Sequence, residues 1–119
     1  MNRTYLLLFL GIVVVAIALV LLVSNANTKD AEFDDCSKNV GGEKEACFRN
    51  LAVKHKDASI CIALSAGSGD SIAEIECYNQ VAKSILAESA EKAKGVCDLI
   101  SSENERDGCY RSLQSMVSG

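Results

Sequence analysis

Six cysteines, all after residue 35 of a 119-residue chain, constrain the fold of this protein more than any other feature. Three of them share a local pattern in which an aromatic residue comes next and an aliphatic residue stands four places on: Cys47 in CFRNL, Cys77 in CYNQV and Cys109 in CYRSL. These three cysteines are 30 and 32 residues apart, a period typical of helical-hairpin repeats. Residues four apart share one face of a helix. The pattern therefore predicts an all-α fold of paired helices.

The other three cysteines, Cys36, Cys61 and Cys97, alternate with the first three. We expect them to lie in shorter helices. Each is followed at helical spacing by an aliphatic residue on the same predicted face, respectively Val40, Leu64 and Ile100. Both kinds of helix are thus predicted to present sulfur beside an aliphatic side chain.

A single helix pair is too small to bury a core, so the cysteines are expected to clamp each pair across its connecting turn. Six cysteines allow 15 connectivities, and the sequence leaves the alternatives open. We expect nearest neighbours to bond, namely Cys36 with Cys47, Cys61 with Cys77, and Cys97 with Cys109. Each disulfide would add about 3 kcal/mol to the free energy of unfolding, because the loop that it closes restricts the unfolded chain. The aromatic residues of the pattern are expected to pack against a turn or a neighbouring hairpin: Phe48, Tyr78 and Tyr110.

An uncharged apolar run occupies Tyr5 to Val23. Its 18 residues from Leu6 onward are long enough for a helix that crosses a bilayer core of roughly 30 Å. A cleaved secretory signal usually has an apolar region of about 7 to 15 residues, although the small residues up to Ala26 offer a processing site. We therefore favour an uncleaved signal anchor over residues 1–26, with secretion as the alternative if the chain is cut after Ala26.

The charge pattern predicts the orientation and the compartment. Arg3 is the only charge before the run, and basic flanks stay in the cytoplasm, so residues 27–119 should be extracytoplasmic. Small cysteine-rich domains outside the cytoplasm normally form disulfides. This part holds 11 basic and 16 acidic residues and has a net charge of −5. Such a balance argues against a nucleic-acid partner.

The part after the anchor lacks proline and is rich in helix-forming residues. Glycine and serine clusters divide it into six predicted helices: 28–40, 43–56, 58–65, 71–93, 96–102 and 105–117. Capping signals place helix starts at Asn27 or Thr28, at Asp57, at Ser71 and at Asn104. Ser71 and Glu74 match a capping box, and the loop AGSGD at 66–70 precedes them.

The alternating cysteine motifs resemble those of small uncharacterised archaeal membrane-anchored proteins built from cysteine-bearing helical-hairpin repeats. The resemblance covers Cys36 to Leu113 and is carried by SICIAL and GVCDLI in alternation with EACFRNLA, IECYNQVA and DGCYRSLQ. The first repeat departs from the pattern, because DDCSKNV has no aliphatic residue before its cysteine. The resemblance implies this architecture and no enzymatic activity.

Catalytic and metal chemistry find little support in the residues. The single histidine, His55, is predicted to be solvated at a helix end. No Cys-x-x-Cys motif is present, and the gaps between cysteines do not suit structural zinc. Calcium is a weaker alternative for the acidic residues near helix starts, none of which forms an EF-hand pattern. GSGD at 67–70 lacks the ending of a phosphate-binding loop. We expect no catalytic residue, metal or cofactor.

Two classes of function remain. The first is a membrane-anchored, non-catalytic module for protein–protein interaction, because stacked helical hairpins create extended surfaces. Tyr78, Tyr110 and the acidic turns are its candidate contact residues. The second is a structural or assembly subunit of a membrane or cell-surface complex. Gly11 and Val15 fall short of a small-xxx-small helix-packing motif and give the second class little support. A thiol–disulfide redox protein is a third and weaker alternative.

Overall fold

The protein is described by a computed structural model that covers residues 2–65 and 71–119, without the side chains of 25–27. Every regular element in these ranges is helical. Five α-helices and one 3-10 helix follow one another: α1 Arg3–Ser37, α2 Gly41–His55, the 3-10 helix Ala58–Leu64, α3 Ile72–Leu86, α4 Ala90–Cys97 and α5 Glu103–Ser118. The predicted loop at 66–70 lies outside the described residues, and so does the motif GSGD within it.

The chain forms two compact units, Met1–Asp34 and Asp35–Gly119. The first unit consists of most of α1, which is the one helix in the described residues that is long and apolar enough to cross a membrane. Its apolar side chains are exposed on all sides of the helix. Membrane spans and signal sequences share these properties, so the predicted boundary after Ala26 stays a prediction.

The predicted helix start at Asn27 or Thr28 is wrong, because α1 continues without a break to Ser37. The hydroxyls of Ser24 and Thr28 donate to the carbonyl oxygens four residues earlier, at 2.8 and 2.9 Å. Hydroxyls bonded in this way are satisfied inside a helix and do not cap a new one. With no proline or glycine between Ile12 and Val40, nothing in the sequence ends the helix earlier.

The helix start predicted at Asp57 is confirmed. Its carboxylate accepts a hydrogen bond from the backbone N–H of Ser59 at 3.0 Å. The element that follows is a 3-10 helix, tighter than the α-helix that the sequence suggested. The start at Ser71 is also confirmed, since its hydroxyl accepts from the N–H of Glu74 at 3.2 Å.

The single helix predicted over 71–93 is in fact two helices, α3 and α4, with a turn over 87–89. Ser89 caps the second one by accepting from the N–H of Lys92 at 3.2 Å. The helix predicted over 96–102 does not exist as such, because Cys97 is the last residue of α4 and Gly95 lies within it. The last helix begins after Ser102, so the cap predicted at Asn104 is displaced by two residues.

The second unit is built around one core, in which α3 is central and packs against α2, the 3-10 helix, α4 and α5. The aliphatic residues predicted beside the second kind of cysteine are all buried: Leu51, Val81 and Leu113. Of those predicted beside the first kind, Ile100 is buried and Leu64 is partly buried. Val40 is 79% exposed, so that prediction is wrong. Because α1 ends at Ser37, Val40 lies in extended backbone before α2 and not on the helical face of Cys36.

Candidate functional site

All six cysteines lie in disulfides between nearest neighbours. The bonds join Cys36 to Cys47, Cys61 to Cys77, and Cys97 to Cys109, with Cα–Cα distances of 5.4, 5.6 and 5.7 Å. Five of the six residues are at most 2% exposed, and Cys47 is partly buried. Each bond links two consecutive elements, so the sulfur atoms belong to the core that holds the helices together.

The two tyrosines that were candidate contact residues have different surroundings. Tyr78 is 4% exposed, and its hydroxyl donates to Oε1 of buried Glu74 at 3.0 Å. Its predicted role on an exposed surface is therefore wrong. Tyr110 is only partly buried, and its hydroxyl donates to the carboxylate of Asp98, which is exposed. Phe48 is 1% exposed and belongs to the core, while its predicted contact with a turn or a neighbouring hairpin stays a prediction.

Glu74 is the one buried charged residue of the described core, and no sequence pattern predicted its burial. Its Oε2 has no hydrogen-bond partner among the described residues. The capping box predicted for Ser71 and Glu74 forms in its serine half, while the glutamate side chain turns to Tyr78 instead. Glu74 consequently helps to fix the tyrosine in the core.

Polar contacts between elements reinforce the same packing. Arg49 Nη1 of α2 lies 2.9 Å from Glu76 Oε1 of α3, and Lys56 pairs with Glu88 beyond the end of α3. Arg106 Nη1 donates to the carbonyl of Ile100 at 3.2 Å, which ties α5 to the turn before it. His55 is the last residue of α2, at the helix end where it was predicted, but it is partly buried and not fully solvated. Within the described ranges no three His, Cys, Asp or Glu side chains converge as metal ligands do.

An open groove of about 740 Å³ lies between α4 and α5 and reaches the end of α3. Apolar side chains from α3 and α5 line it, namely Leu86, Leu113 and Val117. Lys94, Tyr110 and Gln114 add polar groups along its length. Its volume lies in the range of ligand sites, and apolar walls with a few polar groups are typical of them. We regard this groove as the candidate functional site.

Of the residues predicted for function, only Tyr110 lies in the groove. The rest of its lining was missed, although most of it recurs at helical spacing: Ala90 and Lys94 on α4 with Asp98 directly after that helix, and Leu113, Gln114 and Val117 after Tyr110 on α5. That spacing is the only sequence signal for the groove.

No family model, curated protein or solved structure matches the chain. The resemblance to archaeal repeat proteins therefore stays a prediction.

Proposed function

We propose that the protein is a single-pass membrane-anchored, extracytoplasmic helical module that binds another protein and has no catalytic activity. The observation that carries this proposal is an open, apolar-walled groove on a small scaffold that three disulfides cross-link. A cross-linked scaffold holds such a groove in one shape, and preformed sites lose less conformational entropy on binding.

The disulfides also support the non-catalytic part of the proposal. A reactive cysteine needs an accessible thiolate, whereas all six sulfurs here are bonded and five of the cysteines are buried. The sulfur atoms thus have a structural role that accounts for each of them. A redox protein would instead carry at least one labile pair.

The apolar helix and the disulfides support the proposed location. Disulfides persist in oxidising compartments, which favours a position outside the cytoplasm. With Arg3 on the cytoplasmic side, residues 5–23 span the membrane and the module lies on the other face. Cleavage after Ala26 would release the same module as a secreted protein.

The helical-hairpin repeat is part of the proposal. Each disulfide closes a pair of consecutive elements: α1 with α2, the 3-10 helix with α3, and α4 with α5. Three such units in sequence, each with an aromatic residue after its second cysteine, support an architecture of repeated helical hairpins.

Crosslinking in intact membranes tests the function. Cells producing the full chain are treated with a lysine-reactive crosslinker, and the products are identified by mass spectrometry. The matched control is the variant Cys61→Ser with Cys77→Ser, which keeps α1 and weakens the module. We expect a reproducible partner that the native chain captures and the control variant loses.

Other outcomes would contradict the proposal. A partner captured equally by both proteins would be bound through the apolar helix and would favour the assembly subunit. Crosslinks found only between copies of this chain would also favour the assembly subunit. Free thiols found by alkylation of the native protein would favour a redox role.

A further inference from the structure

We propose that the groove between α4 and α5 binds an amphipathic helix of the partner protein that carries one acidic and one basic side chain, a turn apart, beside its apolar face. The acidic side chain pairs with Lys94 and the basic one with Asp98, which both line the groove. This inference rests on the proposed function and specifies the chemistry of the partner.

The two charged residues of the described lining have opposite signs. Lys94 lies in the last turn of α4, and Asp98 directly follows that helix. Both are exposed, and neither forms an ion pair with the other or with another described residue. The carboxylate of Asp98 accepts the hydroxyl of Tyr110, and its second oxygen can accept a further donor. One positive and one negative charge are therefore available to an occupant of the groove.

These two charges restrict the partner. An occupant with only acidic side chains along α4 would bring a carboxylate against Asp98, and one with only basic side chains would bring a cation against Lys94. Contacts between like charges oppose binding. The two residues are four apart, and residues four apart on a helix lie about 6 Å apart along its axis. A helix with one charge of each sign at this spacing pairs with both residues.

Backbone hydrogen bonding favours a helix over an extended segment. Every regular element in the described ranges is helical, so the groove walls offer no strand edge. A peptide that binds by strand addition needs such an edge for its N–H and C=O groups. Proline-rich segments dock in aromatic grooves, whereas Tyr110 is the one aromatic residue of the described lining. A helix satisfies its own backbone groups and can cover apolar walls.

The apolar surface in the groove supplies the anchor contacts. Leu113 is 3% exposed and forms part of the core, while Val117, one turn later, is 71% exposed. Leu86 and Tyr110 are partly buried. A covering helix would remove Val117 from water and bring apolar side chains against Leu86 and Tyr110, a residue type enriched in binding hot spots.

The test uses the full chain in nanodiscs of zwitterionic phosphatidylcholine and three synthetic helical peptides. All three carry leucine at positions i, i+3 and i+7 and a photoreactive group on that face. At two positions four residues apart beside the leucines, the first peptide has one glutamate and one lysine, the second two glutamates and the third two lysines. Binding is measured by fluorescence anisotropy against empty nanodiscs, and the crosslinked residues are mapped.

We expect the mixed-charge peptide to bind about fivefold more tightly than either of the others and to crosslink to α4 and α5. Lys94→Glu should shift the preference to the two-lysine peptide, because both lining charges are then acidic. Asp98→Asn keeps an acceptor for Tyr110 and removes one charge, so the mixed-charge and two-glutamate peptides should then bind about equally. The control Lys92→Glu changes an exposed lysine of α4 outside the described lining and should leave the order of the peptides unchanged.

A second pair of variants tests the apolar wall. Val117→Ser should weaken all three peptides by about tenfold, because the contact with the leucines is lost. The control Met116→Ser changes a neighbouring side chain that is 52% exposed and outside the described lining, and it should have little effect.

Several results would overturn this inference. Equal binding of the three peptides, binding of none, an unchanged order in Lys94→Glu, or crosslinks outside α4 and α5 would each exclude the mixed-charge helix. Self-association that Val117→Ser abolishes would assign the groove to a second copy. If the partner captured in membranes is retained by Val117→Ser and by Lys94→Glu, the groove assignment fails while the proposed function stands. If no partner is captured, the proposed function fails and this inference fails with it.

Discussion

Tyr78 and Tyr110 follow disulfide-bonded cysteines in the same local motif, but only Tyr78 belongs to the core. Tyr78 lies on α3, which packs against the 3-10 helix and three other helices. Tyr110 lies on α5, which packs mainly against α3 and α4. In both places the cysteine and the aliphatic residue four positions on are buried. The motif therefore determines the inner face of the helix, while the number of neighbouring elements determines the surroundings of the aromatic ring.

The largest expected effect comes from removing a disulfide. The variant Cys61→Ser with Cys77→Ser should lower the free energy of unfolding by about 3 to 4 kcal/mol, because a constraint on the unfolded chain is lost and two hydroxyls enter the core. Cys97→Ser with Cys109→Ser should have a similar effect, since its cysteines are equally buried. Urea unfolding of the full chain in nonionic detergent, followed by circular dichroism, measures both. If Cys97→Ser with Cys109→Ser lowered the free energy of unfolding by less than about 1 kcal/mol, the two disulfides would contribute unequally to stability.

Removing the hydroxyl of each tyrosine should distinguish the core around Tyr78 from the groove edge at Tyr110 by the loss of stability. Tyr78→Phe leaves Oε1 of buried Glu74 without its donor and should cost about 1 to 3 kcal/mol. Tyr110→Phe frees the exposed carboxylate of Asp98 to bind water and should cost less than about 1 kcal/mol. The same unfolding assay compares them. Equal losses would contradict the distinction between a core tyrosine and one at the edge of a groove.

The sequence predicted the features that depend on local pattern. Helical period and capping residues located most of α2, the start of the 3-10 helix and the start of α3. Spacing indicated which residues face the core, as Leu51 and Val81 show. These properties follow from contacts within a few residues along the chain.

The features that were missed depend on tertiary packing. The turn at 87–89 has no glycine or proline, and Ser89, which caps α4, is followed by the helix former Ala90. The sequence pattern therefore continues through the turn and predicts one helix. The burial of Glu74 depends on elements that close over α3. The groove likewise depends on the separation of α4 and α5, which no local spacing specifies.

The ion pair between Arg49 and Glu76 should contribute less than the tyrosine contact of the same region. The two side chains join α2 to α3, but that of Glu76 is 52% exposed, so water and salt screen the attraction. Arg49→Ala should cost at most about 1 kcal/mol from the ion pair, and the difference from the native protein should shrink in 1 M sodium chloride. A loss that does not depend on salt would indicate that the stem of Arg49 acts by packing instead.

Val117→Ser should have the smallest effect on stability, within about 0.5 kcal/mol, because its side chain is 71% exposed in the unbound protein. Leu113→Ala provides the contrast on the same helix face, one turn earlier. That residue is 3% exposed, and its truncation should cost about 2 to 4 kcal/mol by leaving a cavity in the core. Urea unfolding of both variants would show where the core ends along α5. If Val117→Ser proved as costly as Leu113→Ala, the valine would be supporting the fold, and the apolar wall of the groove would be part of the core and not a surface kept open for a partner.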